Sequence, residues 1–423
     1  MSLITDQTPL LTSGNGHGDA RSLPRRFVNI LKAEGEPSWL ASYKFFIFGS
    51  WWNILLLFVP LSYLSHTLKW DAALRFCFSF MAIMPLAALL GTATDQLSVK
   101  LGQTLSGLLN ASFGNAVEII VGIAALLQGQ LRIVQTSMLG SILSNLLLVL
   151  GCSFFAGGLK STENIFQATA AQASSSLMTL ACITLVIPAA YHSAKVHDLC
   201  EHNATSNATF SLNNTVIDGS DLDEGDENGL LFISRGTALL LLFVYVGYLI
   251  FQLKTHHVLF DGELQEEGEE PMMSVPAAGS ALLLVTVVTS FCADYLVASI
   301  EETADTYHIP TAFIGVILLP IVANAAEHVT SVWMALKNKM ALSIEICVGS
   351  SIQISTFVIP LLVIIGWITN HNLTLYFSNF ETIVLFVSVL LVQFLVQDGK
   401  SNYMEGIMLL TLYLVIAMAF WAS

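Results

Sequence analysis

The sequence predicts an all-α membrane protein in which about eleven helices cross the bilayer, most of them in two inverted repeats. Three observations carry this prediction: an apolar composition, a series of apolar segments of spanning length, and a self-match between residues 114–118 and 323–327. Hydrophobic residues make up 54% of the 423 positions, charged residues make up 11%, and the mean hydropathy is +0.70. Because soluble domains carry about 25% charged residues, this composition excludes a water-soluble or a disordered chain.

Eleven apolar segments approach the length of about 20 residues that a helix needs to cross a bilayer. They lie near 45–64, 72–91, 107–128, 135–157, 168–190, 233–253, 276–298, 311–335, 342–368, 379–396 and 404–421. They divide the chain into an N-terminal tail (1–44), a first helix (45–64), a first repeat (72–253) with a loop at 192–229, a linker (254–275) and a second repeat (276–423).

The distribution of Lys and Arg predicts the orientation, because cytosolic loops are enriched in positive charge. With a cytosolic N-terminus, eleven Lys and Arg lie on the cytosolic side and five on the other side, and the C-terminus is non-cytosolic. The same orientation places four N-glycosylation motifs in non-cytosolic loops, where they are either used or present by chance. These begin at Asn203, Asn207, Asn213 and Asn372.

Several other classes of protein lack support in the sequence. The net charge is −15 and no basic run is present, so nucleic acid is not an expected partner. The six cysteines match no zinc motif and suggest no disulfide. Neither H-E-x-x-H nor G-x-S-x-G occurs, so an enzyme is not expected, and no cofactor is implied. The polar first forty residues contain no apparent signal peptide.

A repeat with a fixed offset of 209 residues relates the two halves. Gly114-Asn-Ala-Val-Glu118 matches Ala323-Asn-Ala-Ala-Glu327, and the same offset places Gly140-Ser141 on Gly349-Ser350. Each half holds five predicted spans, and because five is odd, the second half enters the membrane from the opposite side. Such inverted repeats are typical of secondary transporters, whose binding sites lie near the midplane where the halves meet.

Glu118 and Glu327 lie inside apolar segments at equivalent positions of the two halves. An ionised carboxylate is costly in a bilayer, so this placement indicates a function. Asn115 and Asn324 lie three residues before the two Glu, on the same helix face. Carboxylate and amide oxygens suit Ca²⁺, which binds six to eight oxygen ligands, whereas zinc and copper sites favour Cys and His.

Further residues near the two Glu have two interpretations each. Ser141, Ser350 and Gln353 are either additional ligands or interhelical hydrogen-bonding residues. His328, next to Glu327, either handles protons or is a packed side chain. Since two Glu are neutralised by one Ca²⁺ or by two protons, while an empty site keeps its charge, the pair predicts exchange of Ca²⁺ for protons.

Acidic residues outside the centre form two other groups. Asp95, Glu301 and Glu302 lie at the ends of spans, where they either attract cations to the entrances or are solvated helix ends. A run in the cytosolic linker either binds regulatory Ca²⁺ or is a solvated connector. It includes Glu263, Glu266, Glu267, Glu269 and Glu270.

The paired motifs at 114–118 and 323–328, with RIVQTSMLGSILSNLLLVLG at 132–151 and GSSIQ at 349–353, resemble the Ca²⁺/H⁺ exchangers, including those of fungal vacuoles. These exchangers form the cation/proton branch of the Ca²⁺/cation antiporters. The resemblance covers nearly the whole chain from the first span onward.

This resemblance implies eleven helices with the first apart from both halves, a Ca²⁺/H⁺ site at Glu118 and Glu327, a regulatory acidic helix at 261–270 and a vacuolar membrane. In one departure, the family has paired Glu after the second span, where Asp95 and Gln96 stand here.

The predicted function is therefore proton-coupled Ca²⁺ antiport into the acidic vacuole, with Ca²⁺ and H⁺ as substrates and the lipid bilayer as environment. Mn²⁺ transport and oligomer formation are compatible with this function. Antiport driven by Na⁺ or K⁺ is the alternative within the same class, and a passive cation channel is the alternative from another class. A channel favours a water-filled pore with rings of charge, whereas two inverted copies with one buried carboxylate each favour alternating access.

Overall fold

The computed structural model describes residues 37–101, 103–206, 224–256 and 271–422. These residues are almost entirely helical. In chain order the helices are α1 Trp39–Phe48, α2 Phe58–Thr67, α3 Ala72–Leu101, α4 Gln103–Phe113, α5 Ala116–Leu127, α6 Leu131–Leu143, α7 Leu150–Lys160, α8 Ala168–Ser206, α9 Glu224–Ile250, α10 Val275–Ala298, α11 Ile300–Tyr307, α12 Thr311–Phe313, α13 Leu319–Ala323, α14 Ala325–Leu336, α15 Met340–Gln353, α16 Ile359–Ile368, α17 Asn379–Leu395 and α18 Tyr403–Ala422.

Short non-α segments interrupt or connect these helices. Wider π turns occupy Ser144–Val149, Phe251–Thr255, Ile314–Leu318 and Ile354–Val358, and a 3-10 turn occupies Trp51–Leu57. The strands β1 (Asn164–Ile165) and β2 (Lys400–Ser401) pair antiparallel and join two connecting loops. Lys400 also forms an ion pair with Glu163 at 3.2 Å beside this strand pair. Apart from this two-residue pair, the all-α prediction describes the observed secondary structure.

Seven continuous helical segments of the described chain are long and apolar enough to cross a membrane, and two bent helix pairs raise the number to nine. Two further apolar helices, Ala116–Leu127 and Asn379–Leu395, are shorter than a full span. The structure therefore confirms a polytopic helical membrane protein, and the count of eleven stays a prediction.

Three predicted spans are not the continuous helices that apolar runs suggest. The first, predicted at 45–64, is bent by 86° between Trp39–Phe48 and Trp51–Thr67, and the eighth is bent by 59° next to Asn324. The third is divided at 114–115 between α4 and α5. Hydropathy shows the length of an apolar segment but not the direction of its backbone. Gly49 and Gly114 lie at two of these breaks, and Gly is a weak helix former. In addition, α8 extends to Ser206 and α9 begins at Glu224, so the predicted 192–229 loop is largely helical at both ends.

Helix boundaries repeat with the offset found in the sequence. Helix α5 begins and ends 209 residues before α14, and α6 begins 209 residues before α15. The π turns Ser144–Val149 and Ile354–Val358 follow α6 and α15 at matching places. Two sequences of weak overall identity thus adopt the same pattern of helix, break and π turn.

The repeat-equivalent segments Leu131–Lys160 and Met340–Ile368 form the centre of the bundle. Within their most apolar windows, 67% and 61% of residues are buried, against 17% for Asn228–Thr255. Leucines and isoleucines such as Ile142, Leu143 and Leu147 are fully enclosed. Polar residues in the middle of these two segments, such as Ser141, Asn145 and Ser350, are therefore enclosed by protein, where a polar side chain needs a partner or a ligand.

Candidate functional site

Each of the two central carboxylates lies on the first turn of a helix that follows a backbone break. Asn115 occupies the break before α5, with φ −108° and ψ 34°, and Asn324 occupies the break before α14, with φ −87° and ψ 10°. Glu118 and Glu327 follow three residues later, in the first turn of each helix. A helix N-terminus carries a partial positive charge, which favours carboxylates at this place. The Asn-Ala-x-Glu motif therefore coincides with a broken helix in both halves.

A continuous series of hydrogen bonds connects the two halves at this level. Asn115 Nδ2 donates to Gln353 Oε1 at 2.6 Å, and Ser350 Oγ donates to Asn115 Oδ1 at 2.8 Å. Asn145 Nδ2 donates to Ser350 Oγ at 2.9 Å and to Glu327 Oε2 at 3.0 Å. We call these five residues the central network. It contains four of the residues predicted from the repeat together with one, Asn145, that was not predicted.

Glu118 lies beside this network rather than within its hydrogen bonds. Its carboxyl group is near enough to Glu327 for the two groups to interact electrostatically, and only 2% of its surface is exposed. Glu118 lines a small cavity with Ser141, Pro320 and Met138. The two carboxyl groups, one from each half, thus lie within electrostatic reach of one another inside the bundle.

Asn324 completes the arrangement from the second half. Its Nδ2 donates to the backbone carbonyl of Ser141 at 3.2 Å. The Oδ1 atoms of Asn324 and of Asn145 are buried and have no hydrogen-bond partner among the described residues. A buried acceptor without a donor is costly, but it is well suited to bind a cation.

The chemistry of the site is that of hard oxygen ligands. Two carboxylates, the amide oxygens and the Ser350 hydroxyl lie together, and the described residues contain no cluster of three or more His, Cys, Asp or Glu. Oxygen ligands of this kind suit Ca²⁺ rather than zinc or copper.

Other predicted residues lie outside the central network. His328 is partly buried on α14, and within the described chain its ring makes no hydrogen bond to the network. Asp95 is exposed near the end of α3, and Glu301 is exposed at the start of α11. Glu302 forms an ion pair with Arg75, so it is not an isolated entrance acid. The acidic run Glu263, Glu266, Glu267, Glu269 and Glu270 lies outside the described residues.

The structure also gives a position for Gln96, the departure from the family pattern. Its Oε1 accepts hydrogen bonds from the backbone N–H groups of Met272 at 2.8 Å and Met273 at 3.1 Å. Gln96 is buried and ties the end of α3 to the segment before α10. A neutral amide oxygen accepts these bonds, so no carboxylate is required at this position.

The predicted glycosylation motifs differ in their surroundings. Asn372 is exposed in the connector between α16 and α17, while Thr374 of the same motif accepts a hydrogen bond from Gln135 through its carbonyl oxygen at 2.9 Å. Asn203 lies on α8, and Asn207 and Asn213 lie outside the described residues. Their occupancy stays a prediction.

Asn145 is the residue of the network that the repeat did not indicate. The offset of 209 places it on Ile354, so it has no polar counterpart. The available signal was an amide side chain inside the apolar run 142–151. Because a polar residue in a membrane helix needs a partner or a function, that signal makes Asn145 a candidate, as it does its neighbour Ser144.

Comparison with known proteins gives consistent results. The family model described as sodium/calcium exchanger protein matches residues 72–254 and 278–422. A vacuolar calcium ion transporter of Schizosaccharomyces pombe is 42% identical over 418 residues, which covers 98% of this chain and 93% of that protein. A Ca²⁺/H⁺ antiporter of Aphanothece halophytica is 40% identical over 381 residues, covering 87% and 95%.

Among solved structures, native YfkE superimposes with a TM-score of 0.71 at 33% identity, covering 88% of this chain and all of that one. YfkE is described as a Ca²⁺/H⁺ antiporter protein. The family model covers most of the chain and coincides with both halves of the repeat, including the central network. The chain belongs to the sodium/calcium exchanger protein family.

Proposed function

We propose that this chain exchanges Ca²⁺ for H⁺ across the vacuolar membrane by alternating access. One observation carries the proposal: Glu118 and Glu327, from opposite halves, lie within electrostatic reach of one another beside the central network, and the buried Oδ1 atoms of Asn145 and Asn324 have no hydrogen-bond partner among the described residues. The relatives named as a vacuolar calcium ion transporter and a Ca²⁺/H⁺ antiporter support this function.

The charge of the site provides the coupling between the two ions. Two ionised Glu carry a charge of −2, which one Ca²⁺ or two protons neutralise. An empty, doubly charged site is costly to enclose inside the membrane, so the change of access is favoured only when the site is loaded. Because both cargoes need the same carboxylates, Ca²⁺ and protons displace one another, and exchange is favoured over leak.

The ligand set follows from the positions of the oxygens. Glu118 and Glu327 supply carboxylates, and Asn324 Oδ1 and Asn145 Oδ1 are acceptors with no hydrogen-bond partner among the described residues. Asn115, Ser350, Gln353 and Ser141 complete the shell, Ser141 through its carbonyl or its hydroxyl oxygen. With six to eight ligands required, the oxygens of these residues suffice without a thiol or an imidazole.

The arrangement of the two halves as inverted repeats is part of the proposal. It is supported by the helix boundaries that recur after 209 residues and by the odd number of predicted spans in each half. In this arrangement eleven spans form the bundle, with α1 and α2 as a first, bent span outside both halves. Repeats of this kind bring two broken helices to one midplane site.

The proposed orientation places the N-terminus in the cytosol and the C-terminus in the lumen. The eleven-to-five distribution of Lys and Arg supports it. An acidic lumen then supplies the protons that leave while Ca²⁺ enters. The name of the Schizosaccharomyces pombe relative supports a vacuolar, multi-pass location.

Flux measurements in sealed vesicles test the exchange. With an acidic interior, radioactive Ca²⁺ is expected to accumulate, and a protonophore that abolishes the pH gradient is expected to stop the accumulation. Na⁺ or K⁺ gradients applied without a pH gradient provide the control, and they are expected to drive no uptake. Uptake that persists after the protonophore would contradict proton coupling, and uptake driven by Na⁺ or K⁺ would identify the other antiport mechanism.

Replacement of Asn145 by Ala tests its place in the ligand set. The change removes the donor to Glu327 and Ser350 together with one buried acceptor. Hydrogen bonds between membrane helices are worth about 0.6–1.7 kcal/mol, so the Ca²⁺ concentration for half-maximal uptake is expected to rise about 3-fold to 20-fold. Ser388→Ala, a change at a buried serine on α17, is the control. An unchanged half-maximal concentration in Asn145→Ala would remove Asn145 from the site.

A further inference from the structure

Four buried side chains next to the binding site form a second polar group, separate from the central network. They are Ser153 on α7, Ser331 on α14, and Ser343 and Cys347 on α15; we call them the hydroxyl–thiol cluster. All four are fully buried. Ser331 follows Glu327 by four residues, so it lies one helical turn further along the same face of α14.

Hydrogen bonds within the hydroxyl–thiol cluster tie three helices together. Ser331 Oγ lies 2.9 Å from Ser153 Oγ and 3.2 Å from Cys347 Sγ. Ser343 Oγ donates to the Ser331 carbonyl at 2.7 Å. Ser153 Oγ also contacts the Val149 carbonyl at 2.9 Å, and Ser331 Oγ contacts the Ser343 carbonyl at 3.3 Å, so either hydroxyl can be the donor in the Ser153–Ser331 pair. Helix α14 is thereby fastened to α7 and α15 one turn from Glu327.

The equivalent positions beside Glu118 are all apolar. Subtracting 209 from Ser331, Ser343 and Cys347, and adding it to Ser153, gives Gly122, Val134, Met138 and Leu362. These positions are neighbours in the fold: a Cβ on Gly122 would stand 2.7 Å from Leu362 Cδ1 and 3.5 Å from Met138 Cε, and Val134 lines a small cavity together with Met138 and Leu362. Within the described residues, side-chain hydrogen bonds therefore join these positions in the second half, while residues without polar side-chain atoms occupy them in the first.

Two more observations point in the same direction. The Glu327 carboxylate accepts a hydrogen bond from Asn145, whereas no side-chain hydrogen bond to the Glu118 carboxylate is found in the described part of the chain. Small cavities adjoin the Glu118 side: one is lined by Glu118 itself and Met138, and another by Val134, Met138 and Leu362. Apolar packing beside unfilled space resists displacement less than a buried hydrogen-bonded cluster does.

We propose that the hydroxyl–thiol cluster positions Glu327 as the fixed carboxylate of the pair and that Glu118, which lacks such a cluster, is the carboxylate that changes position during transport. This inference rests on the proposed function and assigns unequal roles to two residues that the repeat makes formally equivalent. Ser331 is the central positioning residue, because it contacts each of the other three.

Ser331→Ala tests the fixed side. The Ca²⁺ concentration for half-maximal uptake is expected to rise about 3-fold to 20-fold, which corresponds to the loss of one interhelical hydrogen bond, while the maximal rate stays within about twofold. Ser153→Ala is expected to raise the half-maximal Ca²⁺ concentration by a similar factor. The double variant is expected to raise it no further than either single variant does. Fully additive effects, or a loss of maximal rate alone, would overturn the positioning role.

Gly122→Ser combined with Leu362→Ser tests the movable side, because the pair reproduces the Ser331–Ser153 contact next to Glu118. The expected result is the reverse of that for Ser331→Ala: the maximal rate falls about 3-fold to 20-fold, while the half-maximal Ca²⁺ concentration is unchanged or lower. Gly122→Ala with Leu362→Ala is the matched control without hydroxyls. Equal effects in the two pairs, or a raised half-maximal concentration in the serine pair, would overturn the proposal.

Equilibrium Ca²⁺ binding to the purified full-length chain, followed by calorimetry, separates this inference from the proposed function. Weaker binding in Ser331→Ala than in the unmodified chain is expected whether or not uptake is coupled to protons. If the unmodified chain binds Ca²⁺ but shows no proton-driven uptake, the proposed function fails while the positioning role survives. If Ser331→Ala folds and binds Ca²⁺ with unchanged affinity, the positioning role fails instead.

Discussion

Glu118→Gln and Glu327→Gln are each expected to lower proton-driven Ca²⁺ uptake by at least about a hundredfold. Glutamine has the shape of glutamate and offers an amide oxygen in place of the carboxylate, but it carries no negative charge. Ca²⁺ then lies in the site without a full counter-charge. Removing one partner of a buried charge pair costs about 3–5 kcal/mol, which is the basis of the estimate. The same change also removes a group that carries a proton, so both directions of the exchange are lost.

The control for these variants is Glu163→Gln. Glu163 forms an ion pair with Lys400 in which both side chains are more than half exposed, and such surface pairs contribute about 0–1 kcal/mol. Uptake by Glu163→Gln is therefore expected to equal that of the unmodified chain. Membrane insertion and size-exclusion behaviour of all three variants are expected to be normal. Substantial uptake by either central variant would contradict the assignment of the site.

Gly140→Ala is expected to be strongly damaging for so small a substitution. Gly140 lies on α6 against the π turn Ile314–Leu318, and an added Cβ would stand 2.3 Å from the Val316 carbonyl oxygen and 2.7 Å from Pro320 Cγ. The backbones of the two halves must then move apart. Overpacking typically costs about 1–3 kcal/mol and occasionally more. Because Ser141 next to it accepts a hydrogen bond from Asn324, uptake is expected to fall together with stability.

Its repeat-equivalent, Gly349, offers a matched control within the same chain. A Cβ on Gly349 would meet no atom within 4 Å, so Gly349→Ala is expected to leave folding and uptake near those of the unmodified chain. Thermal unfolding of the purified proteins, together with vesicle uptake, measures both variants. Equal damage by the two substitutions would show that helix propensity or local flexibility, rather than the close approach to Val316, decides the outcome.

Much of the site was predictable because its chemistry is unfavourable in a membrane. Glu118 and Glu327 are conspicuous in apolar segments, and the recurrence of Asn-Ala-x-Glu after 209 residues identified Asn115 and Asn324 as well. Ser350 and Gln353 followed from the same offset and lie in the central network. Asn145 did not follow, since its counterpart Ile354 is apolar and a repeat reveals only what both copies keep.

The direction of the backbone was less predictable than the positions of the apolar segments. Windows of apolar residues detected the first, third and eighth segments but showed neither the bends in the first and eighth nor the break in the third. A break in a membrane helix leaves backbone groups that surrounding protein must accommodate, and hydropathy contains no information on those surroundings. Likewise, the position of Glu302 at the end of a predicted span suggested an acid that attracts cations to an entrance. Only the structure shows that Glu302 forms an ion pair with Arg75.

The amino-acid sequence alone determined the class of the protein, the repeat and the pair of central carboxylates, because burying charge in lipid is costly and leaves a clear signature along the chain. Only the tertiary structure decided which donors reach which acceptors: Asn145 donates to Glu327, the backbone N–H groups of residues 272 and 273 donate to Gln96, and Ser331 lies at the centre of the hydroxyl–thiol cluster. Hydrogen bonds depend on distances of about 3 Å between atoms, and such distances between remote segments arise only when the helices pack.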